Sequence, residues 1–205
     1  MRNARLLTTF AAAVLVLSGL FGQTASAQIW GARTPNAPMR KASEMIRRQP
    51  AAKVDKDLEE VITPGNSRVL ISLSKQRVYV MNGDQVYIDS PISSGKRAGM
   101  TPTGSFSVTE KDLNHRSSVY GNFVDRSGRV VRAGVSTRVD SAPSGTRYEG
   151  APMKYFCRLT NNGVGMHIGI LPGYPASHGC IRLPAEIAPL IYAKVRVGTR
   201  VVIES

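Results

Sequence analysis

The sequence has 205 residues, a formal net charge of +13 at pH 7 and two cysteines. It contains no internal repeat, no phosphate-binding glycine loop and no dinucleotide-binding fingerprint, which argues against the nucleotide-dependent enzyme classes. The excess of basic residues fits an anionic partner, either a cell-envelope polymer or a nucleic acid, and composition alone does not separate the two.

The first 27 residues have the order of a secretory signal peptide. Arg2 and Arg5 precede an apolar run over residues 6–21, and Ala25-Ser26-Ala27 offers a cleavage site. The apolar run is short for a membrane span, so no stable span is expected after cleavage, although a retained anchor is the alternative. The sequence therefore predicts an exported protein of the periplasm or cell envelope.

Residues 28–66 are basic and are interrupted by prolines at 35, 38, 50 and 64. So polar a segment buries little surface, and it is expected to be a tether. It would act as a spacer or contact an anionic envelope polymer, or it is simply a poorly ordered end of the mature chain. The main folded domain is expected to span residues 67–205.

Short β segments begin at Val69. Strands are predicted at 69–73, 77–81 and 85–89, and the turn at 82–84 contains a hairpin-favouring Asn-Gly pair. A Thr101-Pro-Thr-Gly104 turn leads into another segment that ends at residue 108. The chain is expected to close with a strand at 199–203.

Residues 111–152 form the least regular part of the predicted domain. A small hairpin is possible over 124–131, and the segment is rich in arginine. So long an insertion in a compact β domain is usually functional, which favours a lid over the active site. The alternative is a solvated loop that does not contact substrate.

Two further strands are predicted at 156–159 and 165–168, joined by a turn at 161–163. This arrangement would place His167 at a strand end. A short helix should begin at Pro184, and Pro189 should kink or divide it because proline lacks the backbone N–H that the helix interior needs.

The chemistry is concentrated between Gly165 and Pro184. This stretch contains His167 and the sequence Ser177-His178-Gly179-Cys180-Ile181-Arg182. A thiolate is a strong nucleophile near neutral pH, and an imidazole is well matched to take its proton. Small residues beside Cys180 fit a tight turn that presents the sulfur and aims backbone N–H groups at a developing oxyanion.

Three other roles compete for these residues. Cys180 could be a buried apolar cysteine, or it could form a disulfide with Cys157. It could also bind zinc with His167 and His178, with His115 as a fourth ligand, although the usual paired ligand spacing is absent. A nucleophile is favoured, and a disulfide would leave the Ser-His-Gly-Cys turn without a purpose.

The motif resembles the signature of the L,D-transpeptidase (YkuD-type) catalytic domain family, and the resemblance covers residues 69–203. It implies a mainly β, YkuD-like mixed β-sandwich with one short helix near the C-terminus and no cofactor or metal. It also implies that the donor is a peptidoglycan tetrapeptide stem. Cys180 would attack the carbonyl of the third residue and expel the terminal D-alanine, and an amine from a second stem would resolve the thioester.

The resemblance also assigns roles within the site. His167 would be the general base, and His178 would support the turn formed by Ser177 and Gly179. Backbone N–H groups of Gly179 and Cys180 would stabilise the oxyanion, and Arg182 would hold a substrate carboxylate unless it pairs with Glu186.

Rival functions remain open at this point. They are an L,D-carboxypeptidase, an enzyme that attaches an envelope protein to the wall, and a non-catalytic wall-binding module. Nucleic acid is not expected as a partner, because few aromatic residues accompany the arginines.

Overall fold

The computed structural model describes residues 49–205. The expected signal peptide, and the expected tether as far as residue 48, lie outside the described residues. Within residues 49–205, no helix is long and apolar enough to cross a membrane.

The described chain is built almost entirely of short strands, with one 3-10 helix at Lys56–Leu58 and one α-helix, α1, at Ala188–Lys194. The strands in chain order are β1 (Lys53–Val54), β2 (Arg68–Ser72), β3 (Arg77–Asn82), β4 (Gln85–Pro91), β5 (Gly104–Ser107), β6 (Glu110–Asp112), β7 (Arg116–Val124), β8 (Val130–Ser136), β9 (Arg147–Pro152), β10 (Phe156–Arg158), β11 (Gly165–Ile168), β12 (Ile181–Leu183) and β13 (Arg200–Glu204). The mainly β fold with one short C-terminal α-helix is as the sequence predicts.

The strands form three sheets. The first has six strands in the order β1-β4-β3-β2-β13-β5, and the second has four in the order β12-β11-β10-β6. The third has the order β8-β7-β9 and comes entirely from the 111–152 segment. Pairing is antiparallel except for β13 with β2 and β11 with β12, which run parallel.

A single apolar core joins the first two sheets and α1. The first sheet contributes residues such as Ile71, Val80 and Val201, the second contributes Met166, and the helix contributes Ile191. Because side chains alternate across a strand, the residues between these core positions face the opposite side of the second sheet. That opposite side carries the motif residues.

Part of the segment expected to be a tether belongs to the fold. β1 pairs with β4, and Ile62 is fully buried in the core beside Val54 and Leu58. Burying an isoleucine side chain stabilises a fold by roughly 1.5–3 kcal/mol. Burial of Ile62 therefore helps to anchor this otherwise polar segment to the fold. Isolated apolar residues of this kind give no periodic pattern, so the predicted boundary between 66 and 67 falls too late.

The 111–152 segment is more regular than predicted. The hairpin expected over 124–131 is present as the turn that joins β7 to the edge strand β8, and β7 is the central strand of the three-stranded sheet. In β8 five consecutive residues are exposed, including Val130 and Val131, so the strand shows no alternation of apolar and polar residues. Backbone hydrogen bonds hold these strands together, and the pattern of apolar and polar residues does not indicate them.

The prediction for Pro189 is wrong. The helix begins at Ala188, not at Pro184, and Pro189 lies in its first turn. At this position the missing N–H has no intrahelical acceptor to lose, so proline is tolerated and the helix is neither kinked nor divided. Pro184 precedes the helix and accepts hydrogen bonds from Ile187 and Ala188 through its carbonyl.

Candidate active site

The parallel pair of β11 and β12 brings the motif residues together. Met166 lies opposite Ile181, and His167 lies opposite Arg182. Met166 and Ile181 are fully buried in the core. His167 and Arg182 therefore share the other face, and Cys180, two positions before Arg182, is on that face as well.

The turn before Cys180 is held by two hydroxyl groups. The Ser177 Oγ donates to the Cys180 carbonyl at 2.6 Å and accepts from the Gly179 N–H at 3.0 Å. The buried Thr101 donates to the Gly179 carbonyl at 2.7 Å. Gly179 has φ +136°, and a Cβ there would lie 2.8 Å from the Met100 carbonyl oxygen, so only glycine fits.

These contacts change the expected oxyanion site. The Gly179 N–H is engaged by Ser177, whereas no hydrogen bond within residues 49–205 uses the Cys180 N–H. Of the two backbone donors that the sequence suggests, only the one on Cys180 is free in this arrangement.

The Cys180 thiol is partly buried between β11 and the preceding turn. Its Sγ lies 3.5 Å from the Gly163 carbonyl oxygen. Burial raises the pKa of Cys180, while a hydrogen bond from the Gly165 N–H and the charges of Arg182 and Arg158 act in the opposite direction. The balance favours the neutral thiol at rest, so a base is needed to form the nucleophile.

His167 is suited to be that base. Its side chain is largely buried, and burial lowers the pKa of His167 to about 4, with the charge of Arg182 acting in the same direction. Its Nδ1 lies 2.6 Å from the Ile168 carbonyl oxygen, to which an Nδ1–H would donate. That tautomer leaves Nε2 as the proton acceptor, and the ring is neutral at pH 7.

His178 is arranged differently from expectation. Its ring is exposed and stacks on Tyr120 of β7, with ring centroids 4.3 Å apart. Its Nε2 lies 3.1 Å from Nζ of Lys96, and burial together with Lys96 lowers the pKa of His178. The support of the turn that the sequence assigned to His178 comes instead from Ser177 and Thr101.

Arg182 lies flat across Gly169. A Cβ on Gly169 would come within 2.6–2.8 Å of the Arg182 side chain, so the glycine makes room for it. The guanidinium donates to the Ile170 carbonyl at 3.4 Å. In the part of the chain that the structure describes, Arg182 forms no ion pair, and the expected alternative partner Glu186 does not contact it.

These residues line a cavity of about 550 Å³. One wall comes from the 111–152 segment through β7, β9 and Arg138, so the segment reaches the site as a lid would. The described lining contains three arginines and three histidines but no aspartate or glutamate, and the histidines are His115, His167 and His178. Such a lining favours a ligand that carries carboxylate groups.

Two of the competing roles, the disulfide and the zinc site, find no support within residues 49–205. Cys157 and Cys180 are both free, and Cys157 is buried in the core with its pKa raised by burial to about 12. The grouping of potential metal ligands found within residues 49–205 is Glu110, Asp112 and His115, which does not include Cys180. Glu110 already pairs with Arg158.

Sequence reasoning missed three positions that build the site. Thr101 was noted only as part of a turn, yet its hydroxyl holds the Cys180 turn. Gly169 was not singled out, although it seats Arg182. Tyr120 lies in the segment that showed no pattern, and no signal in the sequence marks it.

The comparisons with known proteins bear on the family and the fold. The sequence matches the family described as YkuD, the L,D-transpeptidase catalytic domain, over residues 66–203. No curated protein matches it. An L,D-transpeptidase from Mycobacterium smegmatis has a similar structure, with a TM-score of 0.51 and 21% identity over 68% of this chain and 59% of that chain.

Two further solved structures are similar at the level of the fold. They are the LD transpeptidase LdtMt1 in complex with imipenem (TM-score 0.50, 23% identity, 67% of this chain and 58% of that chain) and the avibactam carbamoyl enzyme of Ldtfm (TM-score 0.50, 22% identity, 68% and 49%). This chain therefore spans about half to three fifths of the length of these relatives.

Proposed function

The chain belongs to the L,D-transpeptidase catalytic domain family, and on that premise we propose that it is an exported L,D-transpeptidase that uses Cys180 as its nucleophile. The donor is a peptidoglycan tetrapeptide stem, and the acceptor is an amine of a second stem. Export to the periplasm or cell envelope rests on the signal-peptide pattern of residues 1–27.

One observation carries the proposal. Cys180, His167 and Arg182 share one face of the β11–β12 pair and line the same cavity, whose described lining contains no acidic side chain. A buried neutral imidazole and a thiol in one cavity suit acyl transfer, and the arginines suit a substrate with several carboxylates. Peptidoglycan stems carry such carboxylates.

In the first half of the reaction, His167 Nε2 takes the thiol proton as Cys180 attacks the carbonyl of the third stem residue. The Cys180 N–H stabilises the oxyanion that forms. The C–N bond to D-alanine then breaks, and His167 returns the proton to the leaving amine. In the second half an acceptor amine attacks the thioester, the C–S bond breaks, and the thiol is restored.

The proposal is tested by incubating the purified full chain with disaccharide-tetrapeptide and weighing the products. Loss of D-alanine with formation of a dimer linked between two third residues is the expected result. A tripeptide as the sole product would identify a carboxypeptidase, and unchanged substrate that stays bound to the protein would identify a wall-binding module. Transfer of the tripeptide to an added protein, without dimer formation, would identify an attachment enzyme.

Arg182→Lys tests substrate recognition. Lysine keeps the charge but loses the forked geometry that matches a carboxylate, so we expect acylation efficiency toward the tetrapeptide to fall by about tenfold. The melting temperature should stay close to that of the wild type, because Arg182 forms no ion pair within the described chain.

The measurement is the rate of acyl-enzyme formation by intact mass, alongside thermal unfolding. A lower melting temperature with normal acylation of the folded fraction would instead make Arg182 a scaffold residue.

A further inference from the structure

His115 lines the same cavity, in addition to His167 and His178. His115 lies between β6 and β7, and its Nδ1 is 3.1 Å from a carboxylate oxygen of Asp112. The imidazole stacks in parallel on Phe156, with ring centroids 4.2 Å apart. The His115 carbonyl also accepts a hydrogen bond from the Met153 N–H, so both ring and backbone are fixed.

The carboxylate determines which ring nitrogen of His115 is reactive. Asp112 accepts a hydrogen bond, so the proton of a neutral ring lies on Nδ1 and the lone pair lies on Nε2. No hydrogen bond within residues 49–205 uses that Nε2, and the ring lines the cavity with its side chain 19% exposed. A carboxylate placed in this way holds the imidazole in one tautomer and one orientation.

His115 and His167 are close enough to influence each other, since His115 contributes to the lowered pKa of His167. They occupy different positions on the second sheet. His167 is on β11, whereas His115 follows β6, two strands away in the same sheet, where the chain leads into β7. The cavity lining therefore contains two separately positioned histidines besides His178.

The acyl transfer proposed above needs a base twice. An amine such as a diamino-acid side chain has a pKa near 10, so at neutral pH the acceptor arrives as an ammonium ion without a free lone pair. A base beside the incoming amine would remove this obstacle. In the proposed first half of the reaction, His167 serves the sulfur and the donor.

Resting on the proposed function, we propose that the His115–Asp112 pair is the general base that activates the acceptor amine. As the ammonium loses one proton to His115 Nε2, its nitrogen forms a C–N bond with the thioester carbonyl. The C–S bond breaks, and its electrons pass to the Cys180 sulfur. The second proton of the amine passes through His167 to the sulfur, and His115 releases its own proton to water.

The experiment compares the full-length wild type with His115→Phe and Asp112→Asn. Phenylalanine keeps an aromatic ring against Phe156, and asparagine keeps the shape of the carboxylate. Each protein receives disaccharide-tetrapeptide, acyl-enzyme formation is followed by intact mass, and dimer and tripeptide are weighed. Asp125→Asn is the matched control, because it removes a carboxylate that pairs with Arg129 in the β7–β8 turn and lies outside the cavity lining.

We expect acylation within about twofold of wild type in both variants, because Cys180 and His167 are untouched. Dimer formation from the acyl-enzyme should fall by about 100-fold in His115→Phe, the range lost with a general base, and by less in Asp112→Asn. The ratio of tripeptide to dimer should rise. Raising the pH toward the pKa of the acceptor amine should restore dimer formation, because solvent then supplies the free amine.

If the acyl-enzyme of His115→Phe gave dimer and tripeptide in the wild-type ratio, this inference would be overturned and the proposed function would stand. A parallel loss of acylation and dimer formation, without recovery at high pH, would also overturn it, because His115 would then only shape the cavity. Failure of the wild type to form an acyl-enzyme at Cys180 would overturn both proposals.

Discussion

Cys180→Ser is expected to abolish both acyl-enzyme formation and product release while leaving the fold intact. A hydroxyl is far less acidic than a thiol, and His167, with its pKa near 4, is too weak a base to ionise it. Only one atom changes, and the Ser177 and Thr101 hydrogen bonds that hold the turn go to backbone groups. Turnover by mass spectrometry and the melting temperature are the two measurements.

Cys157→Ser is the matched control. Cys157 is buried in the core, its thiol pKa is raised to about 12, and it is not part of the described cavity lining. The variant should lose some stability because a hydroxyl replaces a thiol in an apolar core, yet turnover per folded molecule should remain near wild type. If Cys180→Ser kept most of its activity with Cys157 present, the assignment of the nucleophile would be wrong.

His167→Ala is expected to lower the acylation rate by about 100- to 10,000-fold, the range associated with loss of a general base. In the wild type, kcat/KM should rise with pH through the pKa of His167 near 4, because only the neutral ring accepts the thiol proton. Burial places this rise well below pH 6.5, so at neutral pH the rate no longer depends on the protonation state of His167. His167→Ala should therefore show a lower acylation rate and no rise of kcat/KM with pH in this acidic range.

His178→Ala separates the two histidines of the motif. Its ring stacks on Tyr120 and lies beside Lys96, and its side chain makes no hydrogen bond to the Cys180 turn within the described chain. We expect a smaller fall in rate and an unchanged acidic limb in the pH–rate profile. If His167→Ala kept the acidic limb of the pH–rate profile and His178→Ala lost it, the general base would be His178 and not His167.

Much of the fold could be predicted because its central strands alternate clearly. β2, β3 and β4 appear within two residues of their predicted ends, and the Asn82-Gly83 pair lies where β3 turns into β4. The sheet formed by β7, β8 and β9 could not be predicted in this way. Its strands are stabilised by backbone pairing and expose valines that a pattern search expects to be buried.

The motif indicates the residues of the candidate site, and their roles remain predictions. Cys180, His167 and Arg182 share one face through the parallel register of β11 and β12, which the sequence does not reveal. The engagement of the Gly179 N–H by Ser177, and the position of the His178 ring, depend on side-chain packing that no spacing reveals. His115 was considered only as a zinc ligand, because its carboxylate partner becomes meaningful once the cavity is seen.

Because β13 lies inside the first sheet, that sheet can be completed only after this strand has been synthesised. β13 (Arg200–Glu204) runs parallel to β2 on one side and antiparallel to β5 on the other. Until residues 200–204 have left the ribosome, β2 and β5 have no partner between them, and the sheet that supports residues 93–96 beside the nucleophile turn is incomplete. Contacts that span so much of the chain also form slowly. A nascent chain therefore carries Cys180 for some time before it has a site in which to use it.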